Sequence, residues 1–232
     1  MNRRVLARPD MPRRDRGRGW TGGDAPHDLL LLPQGYESGY RYPLIVWLTD
    51  QGARGKRRFD LGRVMSRVSL RNFVAVQPLS GQATDVERGV WRAIDRAVRE
   101  ASIHPERIYL VGESSAGTEA FRIGCRHPRA FAGVASLGGG FPLGEAAFAG
   151  LGDVRSLPML LCCSRTPPLG SGLDDASIDR TLRLFHAAGA SLAMRIYAGK
   201  RPLSRAILGD VNRWIMDDIC GTSTLPIPSM NR

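Results

Sequence analysis

The stretch Ile108-Tyr109-Leu110-Val111-Gly112-Glu113-Ser114-Ser115-Ala116-Gly117 decides the fold. Its first four residues predict a short buried strand, and the small residues that follow predict a sharp turn into a helix. A serine in the pattern G-x-S-x-[GA] at such a turn is typical of a nucleophile elbow. The turn needs small residues two positions either side of the serine, and Gly112 and Ala116 supply them. A glycine-rich turn without any chemistry is the alternative interpretation.

If the elbow interpretation holds, Ser114 projects above the sheet as the nucleophile. The amide of Ser115 then lies at the first turn of the following helix. An amide at a helix N-terminus donates readily to an anion, so we expect the Ser115 N–H to form part of an oxyanion hole.

Short apolar runs alternate with amphipathic stretches along the rest of the chain. Runs without period-two alternation are typical of parallel strands that are buried on both faces. The sequence therefore predicts the α/β class, with a mostly parallel, doubly wound sheet and helices on both faces. The expected strands are Leu29–Leu32, Leu44–Leu48, Phe73–Pro78, Ile108–Val111, Ala132–Leu137, Met159–Cys163 and Leu192–Tyr197.

Three amphipathic stretches predict helices with identifiable ends. Thr84 and Glu87 have the spacing of a capping box at the start of the first. The second covers Asp175 to Ala188, and Gly189 is the expected C-terminal stop. The third covers Leu203 to Cys220.

Length and composition favour one globular domain. The chain has 232 residues, of which 43% are hydrophobic. No apolar run reaches the roughly 18 to 20 residues that span a bilayer, which excludes a transmembrane protein. Residues 1–28 predict a basic, disordered arm, residues 29–220 the folded domain, and residues 221–232 a flexible tail. The arm has no secretory pattern, so the expected compartment is the cytoplasm.

The net charge of +11 is the difference between 33 basic and 22 acidic residues, and only Lys56 and Lys200 among the basic ones are lysines. Such a bias indicates either an anionic partner or the codon usage of a GC-rich genome. The segment from Arg54 to Arg71 concentrates this charge. An anionic partner is therefore expected to bind through Arg54, Arg57, Arg58, Arg63 and Arg67.

Several segments resemble the carboxylesterases of the α/β-hydrolase superfamily. The group meant includes phospholipase/carboxylesterase and polyhydroxybutyrate-depolymerase-like esterases. The resemblance covers roughly residues 28 to 218 and implies an ester-hydrolysing ancestry with Ser, Asp and His in that order along the chain. Only the nucleophile position, Ser114, keeps the expected residue. The segments that carry the resemblance are residues 30–36, 42–48, 107–117 and 131–136.

The resemblance implies an acid just after the strand Met159–Cys163. Thr166 stands at that position in this sequence. Asp174 and Asp175 follow eight and nine residues later and could bend back to the site. Their simpler role is to cap and charge the first turn of the next helix.

The resemblance also implies a histidine base after the strand Leu192–Tyr197, where this sequence has Arg201, or Lys200 if the register shifts by one. Arginine stays protonated at physiological pH and cannot accept the serine proton. Lysine could do so only if burial strongly lowered its pKa. Three of the four histidines, His104, His127 and His186, are expected far from Ser114, and His27 lies in the arm.

The oxyanion loop departs from the family as well. Where the family usually has His-Gly after the strand Leu44–Leu48, this sequence has Thr49-Asp50-Gln51-Gly52. A carboxylate at Asp50 would oppose a developing oxyanion unless it turns to solvent or pairs with Arg54. Asp50 could otherwise serve as a relocated acid.

Together these departures predict a catalytically impaired or inactive esterase homologue, a pseudoenzyme that keeps a pocket for a small ester or acyl ligand. One alternative is an active serine carboxylesterase in which Lys200, Asp50 or His27 replaces the missing base. Another is an arginine-rich binding protein for an anionic partner. A cysteine hydrolase using Cys162 or Cys163 is disfavoured, because a cysteine at the end of an apolar strand packs as a small hydrophobe. No His/Cys/Asp cluster in the sequence has the spacing of a metal-ligand set, so neither a metal nor an organic cofactor is implied.

Overall fold

The computed structural model describes residues 28–49, 60–78, 86–143, 151–164, 175–198 and 203–221. Within them, seven strands form one sheet in the order β1-β3-β2-β4-β5-β6-β7. The edge strand β1 runs antiparallel to β3, and every other pair of neighbours is parallel. The strands are β1 (Leu29–Leu31), β2 (Tyr42–Leu48), β3 (Val74–Gln77), β4 (Ile103–Glu113), β5 (Gly133–Leu137), β6 (Met159–Ser164) and β7 (Leu192–Tyr197).

Helices cover both faces of this sheet. Helices α1 and α6 pack on one face, and α2, α3 and α5 pack on the other. This arrangement confirms the predicted mostly parallel, doubly wound sheet with helices on both faces. The helices are α1 (Leu61–Val68), α2 (Val86–Glu100), α3 (Ser115–Arg126), α4 (Leu151–Val154), α5 (Asp175–Ala188) and α6 (Arg205–Ile219).

The alternation of side chains along β2 produces the two cores. Val46 contributes to the core under α2 and α3, whereas Ile45 and Trp47 contribute to the core under α1 and α6. Successive residues of a strand point to opposite faces, so a strand that is apolar throughout can be buried on both sides. All seven residues of β2 are buried. This is why its sequence shows no polar alternation.

Local signals explain two of the helix ends. The predicted helix from Asp175 to Ala188 is present, and Gly189 follows it with a φ of 64°. Helix α6 begins after Ser204, whose hydroxyl oxygen accepts a hydrogen bond from the Ile207 amide at 3.3 Å. This cap explains why the helix starts two residues later than the apolar pattern suggests.

The acid of the predicted capping box at the start of α2 has partners on another part of the chain. Thr84 lies outside the described residues. The carboxylate of Glu87 reaches across to α3, where it pairs with Arg126 at 3.0 Å and with His127 at 2.5 Å. Glu87 therefore links two helices.

The described part of the domain begins with a buried carboxylate. The side chain of Asp28 is only 5% exposed and pairs with the Arg92 guanidinium at 3.3 Å. Arg96 also donates to the backbone carbonyl of Asp28. These contacts fix the chain on α2 immediately before the edge strand. Residues 1–27 and 222–232, which make up most of the predicted arm and tail, lie outside the described residues. No helix in the described ranges is both long and apolar enough to cross a bilayer.

Candidate functional site

Ser114 occupies a strained turn between the central strand β4 and helix α3. Its φ of 51° and ψ of −129° make it the one described residue other than glycine with a positive φ. A non-glycine residue in such a conformation costs on the order of 1 to 3 kcal/mol and persists only where its surroundings impose it. Here β4 ends at Glu113 and α3 starts at Ser115, so the whole change of direction falls on Ser114.

The residues around this turn are small because the backbone folds back on itself. A Cβ atom added to Gly112 would lie 2.3 Å from the carbonyl oxygen of Ala116. Ala116 itself is only 7% exposed. Backbone contact within the turn therefore requires glycine at position 112, and the burial of Ala116 suits a small side chain there.

Ser114 and Ser115 present different groups at the carboxyl edge of the sheet. The amide of Ser114 donates to the carbonyl of Leu137 at 2.9 Å, which ties the turn to the neighbouring strand β5. The side chain of Ser114 is half-buried, whereas Ser115 is exposed. As the first residue of α3, Ser115 has an amide that no carbonyl within the helix can accept. A donor of this kind can stabilise an anion beside Ser114.

The expected oxyanion loop begins next to this turn. Leu48, the last residue of β2, pairs in register with Gly112 on β4. Thr49 therefore lies at the same edge of the sheet as Ser114, and its hydroxyl oxygen accepts a 3.4 Å hydrogen bond from the Gln77 amide nitrogen. Asp50 and Arg54 lie outside the described residues.

The expected acid and base segments also begin at this edge. Strands β6 and β7 are paired in parallel, and their last residues, Ser164 and Tyr197, are opposite each other. The positions that should hold the acid and the base come after these strand ends. Thr166, Asp174, Lys200 and Arg201 lie outside the described residues. Asp175 is the first residue of α5 and is exposed.

The described histidines lie away from Ser114. His104 is the second residue of β4 and therefore lies towards the amino end of the strand, whereas Ser114 follows its carboxyl end. His127 ends α3, about 20 Å along the helix from Ser114 at roughly 1.5 Å per residue. His186 is exposed in the last turn of α5. His27 lies outside the described residues.

The rings of His104 and His127 also have partners close to them. The His127 ring contacts Glu87 and packs edge-on against Trp91 at a centroid distance of 5.1 Å. His104 accepts a hydrogen bond from the Glu106 amide at 3.2 Å. Burial and the nearby Arg107 lower the pKa of His104. These contacts suit structural histidines.

Two adjacent cysteines at the end of β6 are buried. Cys162 and Cys163 are 1% and 2% exposed. Burial raises the pKa of Cys162 to about 12 and also raises that of Cys163. A thiol is nucleophilic only as the thiolate, so neither group is suited to attack a substrate at neutral pH.

This difference in burial predicts how the thiols react with an alkylating reagent. Among the four cysteines, Cys220 is exposed, and the other three are buried. Burial also raises the pKa of Cys125 to about 11. At pH 7.5 we expect iodoacetamide to modify one thiol per chain rapidly, and Cys220→Ser to abolish that phase. Mass spectrometry under native and denaturing conditions measures this. Rapid modification of Cys162 in the native protein would contradict the buried placement.

A polar network lies beside these cysteines, and no sequence pattern predicted it. The Tyr197 hydroxyl donates to the Asp210 carboxylate of α6 at 2.7 Å. Arg195 and Arg213 pair with the same carboxylate at 3.2 and 2.8 Å. Burial, together with the hydrogen bond to Asp210, raises the pKa of Tyr197. The network fixes the end of β7, from which the expected base segment departs.

Comparison with solved structures identifies the architecture. The chain superposes on a thermostable esterase with a TM-score of 0.62 and 17% identity, covering 82% of this chain and 58% of the other. It superposes on a carboxylesterase from Bacillus cereus with a TM-score of 0.59 and 13% identity, covering 82% and 93%. For the fluorophosphonate-binding serine hydrolase F of Staphylococcus aureus the TM-score is 0.59 and the identity 9%, with coverage of 83% and 91%.

This chain has the α/β-hydrolase fold. No protein-family model and no curated protein matches the sequence. The identity to each of these three structures is below 20%, so the likeness lies in the arrangement of strands and helices. The esterases with which it aligns share this architecture, so the resemblance seen in the sequence is confirmed at the level of the fold.

Proposed function

We propose that this protein is an esterase-type serine hydrolase homologue whose catalysis is impaired. In this proposal Ser114 stands on a nucleophile elbow beside a small ester or acyl pocket. The observation that supports it most is the strained backbone of Ser114, at φ 51° and ψ −129°, between a central strand and a helix N-terminus. A turn of this shape exposes the serine hydroxyl at the carboxyl edge of the sheet, where α/β proteins bind ligands.

The proposed chemistry begins with an ester whose carbonyl oxygen lies near the Ser115 amide. Attack by the Ser114 hydroxyl requires a group that accepts its proton. The expected base position holds Arg201, and arginine stays protonated. Loss of the histidine of a triad lowers kcat by on the order of 10⁶ in a serine protease. A reactive electrophile depends less on a general base, because its leaving group departs easily. We therefore expect Ser114 to be acylated or phosphonylated slowly and to turn over poorly.

This proposal is tested with a fluorophosphonate probe and p-nitrophenyl acetate. We expect the wild-type chain to be labelled over hours at pH 7.5, and Ser114→Ala not to be labelled. We expect the rate of ester hydrolysis to exceed that of Ser114→Ala by less than about tenfold, because the proton acceptor is missing. Ser66→Ala, which removes an exposed serine of α1, is the matched control and should be labelled like the wild type.

Two outcomes contradict the proposal in different ways. Rapid multiple turnover that disappears in Ser114→Ala supports the alternative, an active serine carboxylesterase in which Lys200, Asp50 or His27 replaces the base. Alanine substitutions at those three positions then identify the residue that acts as the base. Absence of labelling in both the wild type and Ser114→Ala means that Ser114 is not a nucleophile.

A second candidate function, binding of a nucleic-acid phosphate backbone, rests on the charge of α1. Arg63 and Arg67 are exposed and lie on one side of the helix, and Arg71 follows three residues after it. No carboxylate in the described part of the chain pairs with these three arginines. By contrast, several arginines of α2, α3 and α5 form ion pairs, such as Arg99–Asp95 and Arg183–Asp179. Like charges at this spacing repel by a few tenths of a kcal/mol, and an anionic partner would offset the repulsion.

Fluorescence anisotropy with a labelled 20-base-pair DNA duplex tests this candidate. We expect Arg63→Gln/Arg71→Gln to weaken binding and to reduce the salt slope by about 2, close to one per phosphate contact. The control Arg99→Gln/Arg183→Gln removes the same charge from residues that already have carboxylate partners. Equal affinity of the two double variants would show that α1 is not the binding face. Binding to anionic vesicles but not to the duplex would contradict the nucleic-acid assignment.

A further inference from the structure

The side chain of Ser136 lies buried between the two backbone segments that enclose the Ser114 turn. Ser136, on β5, is 0% exposed, and its hydroxyl donates to the carbonyl of Gly139 at 2.6 Å. A Cβ atom on Gly117 would lie 2.1 Å from this hydroxyl oxygen, and one on Gly139 would lie 3.0 Å from it. The hydroxyl therefore fills a space that both glycines leave open.

Gly139 in turn lies directly against the backbone of Ser114. A Cβ atom on Gly139 would lie 2.1 Å from the carbonyl oxygen of Ser114 and 2.8 Å from the amide nitrogen of Thr118. The Thr118 hydroxyl donates to the next carbonyl, that of Gly140, at 2.8 Å. The segment Gly138–Gly140 is thus held by side chains of both β5 and α3.

These contacts act on the strained residue. The Ser114 conformation persists only if neighbouring groups prevent its φ from relaxing to a negative value. Its amide is held by Leu137, immediately before this segment, and its carbonyl is in contact with Gly139. The carbonyl also accepts the Gly117 amide at 3.0 Å. The backbone groups on both sides of the Ser114 side chain are therefore fixed by β5 and the residues that follow it.

We propose that Ser136 is a positioning residue, which holds Gly138–Gly140 against Ser114 and so keeps the serine hydroxyl in its reactive orientation. The inference rests on the proposed function for its chemical consequence, since it is the reactivity of Ser114 that the orientation serves. Ser136 does not touch the reacting atoms in this scheme. It acts through the backbone of Gly139.

The test compares Ser136→Ala with Thr181→Val. Thr181 is 1% exposed and donates to the Ser177 carbonyl at 2.7 Å within α5, so it is an equally buried hydroxyl bound to a backbone carbonyl. Both variants should lower the melting temperature slightly. Only Ser136→Ala should slow fluorophosphonate labelling of Ser114, by about 10- to 100-fold, because a displaced nucleophile loses its alignment. Ser136→Cys keeps a donor at this position, a weaker one on a larger atom, and should recover part of the labelling rate.

A second readout does not depend on reactivity. Amide hydrogen exchange, followed by NMR, should show the Ser114 and Gly117 amides exchanging about 5- to 10-fold faster in Ser136→Ala, and unchanged in Thr181→Val. Unchanged exchange and labelling in Ser136→Ala would overturn the inference. If the wild type is not labelled at all but exchange still responds to Ser136→Ala, the proposed function fails while the positioning role stands.

Discussion

Gly112→Ala is expected to lower the free energy of unfolding by roughly 3 kcal/mol or more. The added methyl carbon would lie 2.3 Å from the Ala116 oxygen, 2.6 Å from its carbonyl carbon and 2.7 Å from the Gly117 nitrogen. All three are backbone atoms in the first turn of α3, so no side-chain rotation relieves the clash. The variant can fold only if α3 moves away from β4, and that movement disturbs the buried contacts of both elements.

Urea denaturation followed by circular dichroism measures this effect, with Gly209→Ala as the control of opposite sign. Gly209 lies in the interior of α6, and a Cβ atom there would meet no described atom within 4 Å apart from its own helix backbone and its two neighbours in the chain. There alanine should raise stability by about 0.5 to 1 kcal/mol, because it loses less backbone entropy than glycine. If Gly112→Ala unfolds at the same urea concentration as the wild type, the turn does not have the close backbone packing described above.

Much of this fold could be predicted because its signals are local. The unpatterned apolar run of β2 indicated a strand buried on both faces, and the pattern from Asp175 to Ala188 with its glycine stop gave both ends of α5. The pairing of Gly112 and Ala116 around the serine indicated a tight turn. Each of these features depends on residues close to one another in the chain.

The features that escaped prediction depend on residues far apart in sequence. Nothing near Ser136 indicates that its hydroxyl separates two glycines, because one of them, Gly117, lies on a different element. The Asp210 carboxylate meets Tyr197 and Arg195 only after α6 has packed on β7. The carboxylate of Glu87 contacts His127, which lies 40 residues further along the chain at the end of α3. Tertiary contacts of this kind have no signature in a single sequence.

The candidate site shows the same division. The identity of Ser114, its turn and its position at the carboxyl edge follow from the local pattern and the order of the strands. The segments expected to hold the acid and the base start at the ends of β6 and β7, and the structure fixes both of these ends. The scaffold thus places the starting points of both segments at the sheet edge that holds Ser114. The resemblance puts Thr166 and Arg201 at the acid and base positions of those segments. This combination is what favours an impaired homologue over an efficient enzyme.

Phe141→Ala is expected to destabilise the domain by about 3 to 5 kcal/mol, the usual range for removing a buried phenylalanine. Phe141 is 5% exposed, and its ring packs against Phe121 of α3 at 5.3 Å and against Phe185 of α5 at 4.8 Å. The single side chain therefore joins the segment after β5 to two helices. Its loss leaves a cavity bounded by aromatic rings that cannot close without moving α3 or α5.

Chemical denaturation again supplies the measurement, with Leu182→Ala as the control. Leu182 is 44% exposed on α5, so its truncation should cost less than about 1 kcal/mol. If Phe141→Ala is no more damaging than Leu182→Ala, the aromatic cluster does not support this edge of the sheet. A large loss of stability in Phe141→Ala has a further consequence, because Phe141 directly follows the Gly138–Gly140 segment that contacts Ser114. Labelling of Ser114 in the folded fraction should then fall as well, since the segment loses the packing of Phe141 and relies on hydrogen bonds such as those from Ser136 and Thr118.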